Sequence, residues 1–260
     1  MRLAVAQVAQ FRRDGFLFLR GLFSAAEVSA LRRDALRFAR PGAAHKFDER
    51  DGSAVRVAHA PHWRSRLFSR LGRHPRLVEP ARKLLGRAVY LHQLKINYKA
   101  AFNGGSWAWH QDFAMWHRQD GMPRPAAVAA ALFLDDVTST NGPMMLIPGS
   151  HRSGRLGAER KERSRPLLTL PDRVVERLAR GGGIHAPTGP AGSVVLFHPN
   201  MAHASGSNLT PWGRIVAFVV LNGVDNAIRR PTRPDWLALR DFSPIEPLAD
   251  DCLRRGRRAC

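Results

Sequence analysis

The chain has 260 residues, 44% of them hydrophobic and 24% charged, a composition that excludes a disordered or collagen-like chain. Lysine and arginine total 41 against 21 acidic residues, a formal net charge of +20. No apolar stretch reaches the roughly 20 residues of a membrane-spanning helix, and the opening MRLAVAQVAQFRRDG lacks the apolar core and cleavage site of a signal peptide.

The first forty residues are expected to be largely helical, with Phe16-Leu17-Phe18-Leu19 as a short strand between Gly15 and Gly21. Ser24-Ala-Ala-Glu27 is a capping box: the hydroxyl accepts from the N–H three residues on, and the glutamate reaches back. Behind it Val28, Leu31, Leu36 and Phe38 mark an apolar face on an arginine-rich helix. Residues 41–61, with Pro41, Gly42, Asp48, Asp51 and Gly52, read as loop, and 62–86 as a second helical stretch ending at Gly86. From residue 88 short apolar runs recur at 89–91, 128–134, 144–147, 194–197 and 215–221, separated by Gly, Pro, Asn and Asp. That pattern predicts a β-sandwich or barrel. The segment 155–183 interrupts it, with a helix at 171–180 stopped by Gly181, Gly182 and Gly183. The expected organisation is one domain over 1–260: mainly helical wrapping at 1–87, a β core at 88–245 and a basic tail at 246–260.

Cys252 and Cys260 are too few to staple a chain of this length, so reduced thiols in a cytoplasmic protein are expected. Five of the 41 basic residues are lysines (Lys46, Lys83, Lys95, Lys99, Lys161), and the arginines are spread along the chain. Only Arg254, Arg255, Arg257 and Arg258 cluster, as a frayed basic end. Dispersed charge argues against a nucleic-acid surface, although an oxygenase or binding protein acting on nucleic acid is the alternative that the net charge keeps in play. Neither a membrane nor a nucleic-acid partner is expected, and a homodimer is left open.

The strongest chemical signal is Trp109-His110-Gln111-Asp112. In an extended segment residues two apart share a face, so His110 and Asp112 can converge on one ion. His203, 93 residues further on in a turn with Pro199 and Asn200, is the best third ligand. Two histidines and a carboxylate with open positions suit non-heme Fe(II) oxygenases. Arg214, 11 residues beyond His203 and at the start of an apolar run, is placed to hold a dicarboxylate, with the Ser205 hydroxyl beside it. A metal site followed by such an anchor is the layout that a 2-oxoglutarate-dependent oxygenase needs. Bland roles are expected elsewhere: His151 and His198 as structural histidines, Trp107 and Trp109 as core, Met144 and Met145 as strand filler.

These blocks resemble the phytanoyl-CoA dioxygenase family of Fe(II)/2-oxoglutarate oxygenases, and within it the bacterial ectoine hydroxylases and free-L-proline 4-hydroxylases. The likeness runs through Gly15-Phe16, Phe23-Ser24, Val55-Arg56, Tyr90-Leu91-His92-Gln93-Leu94-Lys95-Ile96-Asn97 and Trp109-His110-Gln111-Asp112-Phe113. It continues through Asn141-Gly142-Pro143, Pro148-Gly149-Ser150-His151, His203 to Arg214 and Arg240-Asp241-Phe242. The resemblance implies a double-stranded β-helix (jelly roll) with flanking helices, iron on His110, Asp112 and His203, and 2-oxoglutarate on Arg214 and Ser205 with Lys99 and Asn97. It also implies substrate contacts from Gln93, Trp116, Phe197 and Phe218, O2 as oxidant, and ascorbate as activator. Asp112 sets the chain apart from halogenating relatives, so hydroxylation of a small amino-acid-like substrate is expected, with release of succinate and CO2. Ectoine hydroxylases resemble WHSDFETWH at the metal motif, where this chain has Gln111, Ala114 and Met115, and His198 replaces their usual aspartate. Those departures favour proline or pipecolate over ectoine, with ectoine 5-hydroxylation as the runner-up. Gln93 and an arginine near 229–233 are candidate partners of a zwitterion; Arg214, Lys99 and Lys95 are read as partners of small carboxylates.

Overall fold

The computed structural model describes residues 1–40, 44–49, 51–157 and 168–254. Its N-terminal third carries α1 (Val5–Asp14), β1 (Phe16–Leu19), α2 (Ala25–Phe38), β2 (Lys46–Asp48), β3 (Val55–His59), α3 (Arg66–Gly72) and α4 (Pro75–Leu85). There follow β4 (Val89–Lys99), β5 (Trp107–His110), the short α5 (Asp112–Met115) running into a π turn at Trp116–Asp120, β6 (Ala127–Phe133) and β7 (Met144–Leu146). The chain closes with α6 (Asp172–Gly182), β8 (Val194–Phe197), β9 (His203–Ser205) and β10 (Arg214–Gly223). A seven-stranded antiparallel sheet has the order β1-β8-β6-β10-β4-β3-β2, and a three-stranded sheet the order β5-β9-β7. The fold is a double-stranded β-helix.

Strand periodicity explains the layering, because successive side chains point to opposite faces. Along β6, Val128, Ala130 and Leu132 join the outer core with α1–α4, while Ala129, Ala131 and Phe133 join the inner core between the sheets. β10 repeats this, with Ala217 and Val219 outward and Val216 and Val220 inward. Both faces are buried, so these strands read as unbroken apolar runs. The Ser24 capping box forms: Ser24 N–H donates to Glu27 Oε2 at 2.8 Å, and Glu27 N–H to Ser24 Oγ at 3.4 Å.

The structure departs from expectation in four places. The 41–61 stretch is not all loop: β2 and β3 lie within it, and β3, buried on both faces, extends the large sheet beside β4. The stretch 62–86 is two helices, broken where His74 caps α4 and Pro75 opens it. His203 stands on strand β9, not in the turn that precedes it. The C-terminal segment is no frayed end as far as Arg254: Leu248, Cys252 and Leu253 pack on the outer core, and Arg76 pairs with Asp250. Arg255, Arg257, Arg258 and Cys260 lie outside the described residues. Among those described, no helix is long and apolar enough to cross a membrane.

Candidate active site

The small sheet builds one side of the site. In the β5–β9 pairing His110 faces His203 directly, after a register shift between Trp107 and His110, so both imidazoles leave the same face. Their ring centroids are 4.0 Å apart. The chain stays extended at Gln111 and turns into α5 at Asp112, which brings the carboxylate to 3.8 Å from His110 Nε2 and 3.9 Å from His203 Nε2. Their donor atoms all lie within 4.8 Å of one another, a spacing that one metal ion can bridge.

The imidazoles are set for ligation. His110 Nδ1 lies 2.7 Å from the Ala108 carbonyl and His203 Nδ1 2.9 Å from that of Met201. Each Nδ1–H therefore donates to backbone, and each Nε2 lone pair faces the carboxylate. Burial, reinforced by the neighbouring His203, pushes His110 down to about 3, and burial also lowers His203. Burial works against ionisation of Asp112, but Lys95, His203 and His110 together hold its carboxyl below the usual range. Neutral imidazoles and an ionised carboxylate are the protonation states that a divalent transition metal requires. Gln111 ties the motif down from behind: its Nε2 donates to Gly154 O at 2.9 Å and Asn200 O at 2.7 Å, and its Oε1 accepts from Leu156 N at 2.9 Å.

The opposite side comes from the large sheet. On β4 the barrel-facing residues are Gln93, Lys95, Asn97 and Lys99, while Leu94, Ile96 and Tyr98 point into the outer core. Arg214 opens β10 opposite Lys99, and Phe218 lies opposite Lys95. Together these walls form a cavity of about 360 Å³ lined in common by His110, Asp112, His203, Ser205, Asn97 and Arg214. Arg214 is 5% exposed, makes no hydrogen bond among the described residues, and has its Nε buried without a partner. Burial pulls it down to about 10, against the attraction of Asp135. Asn97 Oδ1 and Gln93 Oε1 are likewise buried without partners among the described residues.

Most residues expected at the site line this cavity, including Gln93, Trp116 and Phe218. Two do not. Lys99 Nζ donates to the carbonyls of Gly105 and Gly206, each at 2.6 Å, and is held there behind the wall. Burial, with Arg214 and Arg56 nearby, lowers it to about 7. Phe197 faces the barrel interior but lies behind His203, its ring 5.1 Å from the imidazole and 6.4 Å from that of Phe218. Trp107 is a correction in the other direction: it lines the cavity, with the Arg56 guanidinium 4.0 Å from its ring centre, rather than filling the core. Sequence reasoning also missed His59, Met144 and Leu237 as wall residues. The alternation of polar and apolar residues from Gln93 to Lys99 was the signal for a polar face turned inward.

A jelly roll with a His-x-Asp and distant His donor set, and an arginine opening a later strand, belongs to a recognisable class of dioxygenases. The chain is a member of the phytanoyl-CoA dioxygenase (PhyH) family, whose profile matches residues 11–216. L-proline trans-4-hydroxylase from Streptomyces griseoviridis is 40% identical over 256 residues, covering 94% of this chain and 96% of that protein. Ectoine dioxygenase from Bordetella bronchiseptica is 40% identical over 264 residues, covering 95% and 86%. The crystal structure of EctD from S. alaskensis with 2-oxoglutarate and 5-hydroxyectoine matches with a TM-score of 0.85 at 37% identity, covering 95% of this chain and 87% of that one. The structure of the same protein with bound Fe gives a TM-score of 0.83 at 37% identity over the same shares.

Proposed function

We propose that this chain is an Fe(II)/2-oxoglutarate-dependent hydroxylase of a small free amino acid or amino-acid-derived zwitterion, with a proline- or pipecolate-like substrate favoured. One observation carries the reading: a single cavity has two imidazoles on one sheet converging with the carboxylate that opens α5, and on the other sheet a buried guanidinium with no hydrogen-bond partner among the described residues. A buried charge without a counter-ion is costly, and a bound dicarboxylate is what relieves it.

In this reading His110, Asp112 and His203 hold the iron. The Ala108 and Met201 carbonyls fix both imidazole tautomers, and Gln111 holds the loop that presents Asp112. Arg214 holds the far carboxylate of 2-oxoglutarate, with Ser205 and Asn97 beside it, while Lys99 steadies the Gly105 and Gly206 backbone behind them. The bound iron, with 2-oxoglutarate and O2, supplies the oxidising chemistry that inserts one oxygen atom into a C–H bond and releases succinate and CO2. Gln93, Trp116 and Phe218 wall the substrate space, orient the reacting carbon and keep water out. The same reading takes residues 1–260 as one functional domain, acting in the cytoplasm as a monomer or homodimer.

Ectoine is the second reading, supported by the ectoine dioxygenases among the relatives. The test is incubation with Fe(II), ascorbate, 2-oxoglutarate and a panel of L-proline, L-pipecolate, ectoine and aliphatic amino acids. A product carrying one added oxygen, formed with succinate from L-proline or L-pipecolate, is the expected result. Hydroxylation of ectoine alone would replace the favoured substrate with the second, and succinate with no hydroxylated product would reject the whole panel.

A further inference from the structure

Six charged side chains line the cavity: Asp48, Arg56, Lys95, Asp112, Arg214 and Arg233. Three of them are neutralised by partners. Asp48 meets Lys46 at 2.7 Å, Arg56 meets Glu49 at 2.8 Å, and Arg233 grips the fully buried Asp120 with Nε at 2.7 Å from Oδ1 and Nη2 on Oδ2. Lys95, Asp112 and Arg214 remain. Among the described residues Lys95 makes no hydrogen bond or salt bridge, and its ammonium stands 5.3 Å from the centre of the Phe218 ring. Burial pulls this ammonium below its usual range; Asp112 opposes that pull and Arg233 adds to it.

The register shows that Lys95 and Arg214 serve different parts of the cavity. Lys95 is the middle of a row, His59–Lys95–Phe218, that crosses β3, β4 and β10. Arg214 lies opposite Lys99, four residues further along β4. At about 3.3 Å per residue the two rows are about 13 Å apart, with Asn97 between them. Charge then decides what is missing. A divalent ion on Asp112, with Arg214 and Lys95 unpaired, leaves three net positive charges in one cavity. A dicarboxylate anchored on Arg214 with its other end at the metal removes two of them. One cation is left over, and it is Lys95.

We propose that Lys95 binds the carboxylate of the substrate, which restricts the substrate class to small molecules with a free carboxylate and an apolar frame that lies against Phe218 and Trp116. The assignment rests on the hydroxylase reading above. It makes Lys95 a specificity-determining residue, separate from the cosubstrate anchor, and Asp120 the positioning partner that keeps Arg233 neutralised beside it.

The test is titration calorimetry without oxygen on protein loaded with Fe(II) and 2-oxoglutarate, using L-proline and L-prolinamide, in which the carboxylate is replaced by a neutral amide. The wild type is expected to bind L-proline at least tenfold more tightly than L-prolinamide. Lys95→Met should weaken L-proline by about 10- to 100-fold, the span of a charge-assisted contact, and abolish the preference. L-prolinamide and 2-oxoglutarate affinities should stay within threefold, and Lys95→Arg should restore most of the L-proline affinity. Retention of the preference in Lys95→Met, or loss of 2-oxoglutarate affinity with L-proline unchanged, would overturn the assignment. A wild type that binds none of L-proline, L-pipecolate and ectoine rejects the substrate class itself, an outcome visible before any variant is made.

Discussion

Arg214→Met should move stability and cosubstrate binding in opposite directions. The guanidinium is 5% exposed, has no hydrogen-bond partner among the described residues, and is pulled down from its ordinary value to about 10, chiefly by burial. At about 1.4 kcal/mol per pH unit, that depression means the folded chain carries about 3 kcal/mol of unfavourable charge burial when no anion is bound. Methionine keeps much of the stem's volume and removes the charge, so the metal-free, cosubstrate-free protein should gain about 1–3 kcal/mol; lost stem packing offsets the rest. Urea unfolding reads this as a higher midpoint at unchanged slope. The same variant, loaded with Fe(II) and kept free of oxygen, should bind 2-oxoglutarate at least 30-fold more weakly, because a buried charge pair is worth about 2–5 kcal/mol when one partner is truncated. Saturating 2-oxoglutarate should therefore raise the unfolding midpoint of the wild type and not that of the variant. Destabilisation of the ligand-free variant, with 2-oxoglutarate binding intact, would refute the reasoning and make Arg214 a structural cation.

Gln111→Leu should cost about 2–4 kcal/mol in chemical unfolding, since it strands the buried Asn200 carbonyl and removes the partners of the half-buried Gly154 carbonyl and Leu156 N–H; metal affinity measured by competition with a chelator should fall with it. His74 is fully buried, caps α4 through its neutral Nδ1, and is pushed down to about 4 by burial with Arg76 adding to the effect. The unfolded chain takes up this proton near 6.5 and the folded one only near 4, so the His74 contribution is complete above pH 6.5 and is lost as pH falls toward 4. By pH 5 the loss amounts to about 2 kcal/mol, and His74→Asn, which keeps a capping acceptor, should flatten the fall of the thermal midpoint between pH 6.5 and 4.5. Asp120→Asn leaves Arg233 and His92 without their shared carboxylate and should destabilise the fold by about 3–5 kcal/mol in urea unfolding.

The β core was legible where a strand is buried on both faces, because β6, β8 and β10 announce themselves as apolar runs. It was obscure where the chemistry sits. β5 and β9 are three to four residues long, and Trp107, His110, His203 and Ser205 are spent on the cavity, which removes the alternation that marks a strand. β3 hid among Gly and Asp turns although Val55, Val57 and Ala58 are buried. Motif and spacing pointed to His110, Asp112, His203 and Arg214, which share one cavity, whereas the resemblance added Lys99 and Phe197, which do not line it. Sequence position cannot tell a lysine whose ammonium enters a cavity from one, four residues further along the same strand, whose ammonium is claimed by two backbone carbonyls. The dispersed arginines resolve in part into pairs such as Arg56–Glu49, Arg76–Glu27 and Arg233–Asp120, which hold loops and helices to the barrel.

The central claim is that His110, Asp112 and His203 hold an iron that couples 2-oxoglutarate to insertion of oxygen from O2. Turnover under ¹⁸O2 with Fe(II), ascorbate, 2-oxoglutarate and L-proline, followed by mass spectrometry of both products, tests it most directly. The account predicts succinate and hydroxylated product in equal amounts, with the heavy isotope in each, and loss of both in His110→Ala. Turnover that survives in His110→Ala, or a product whose new oxygen comes from water, would contradict it.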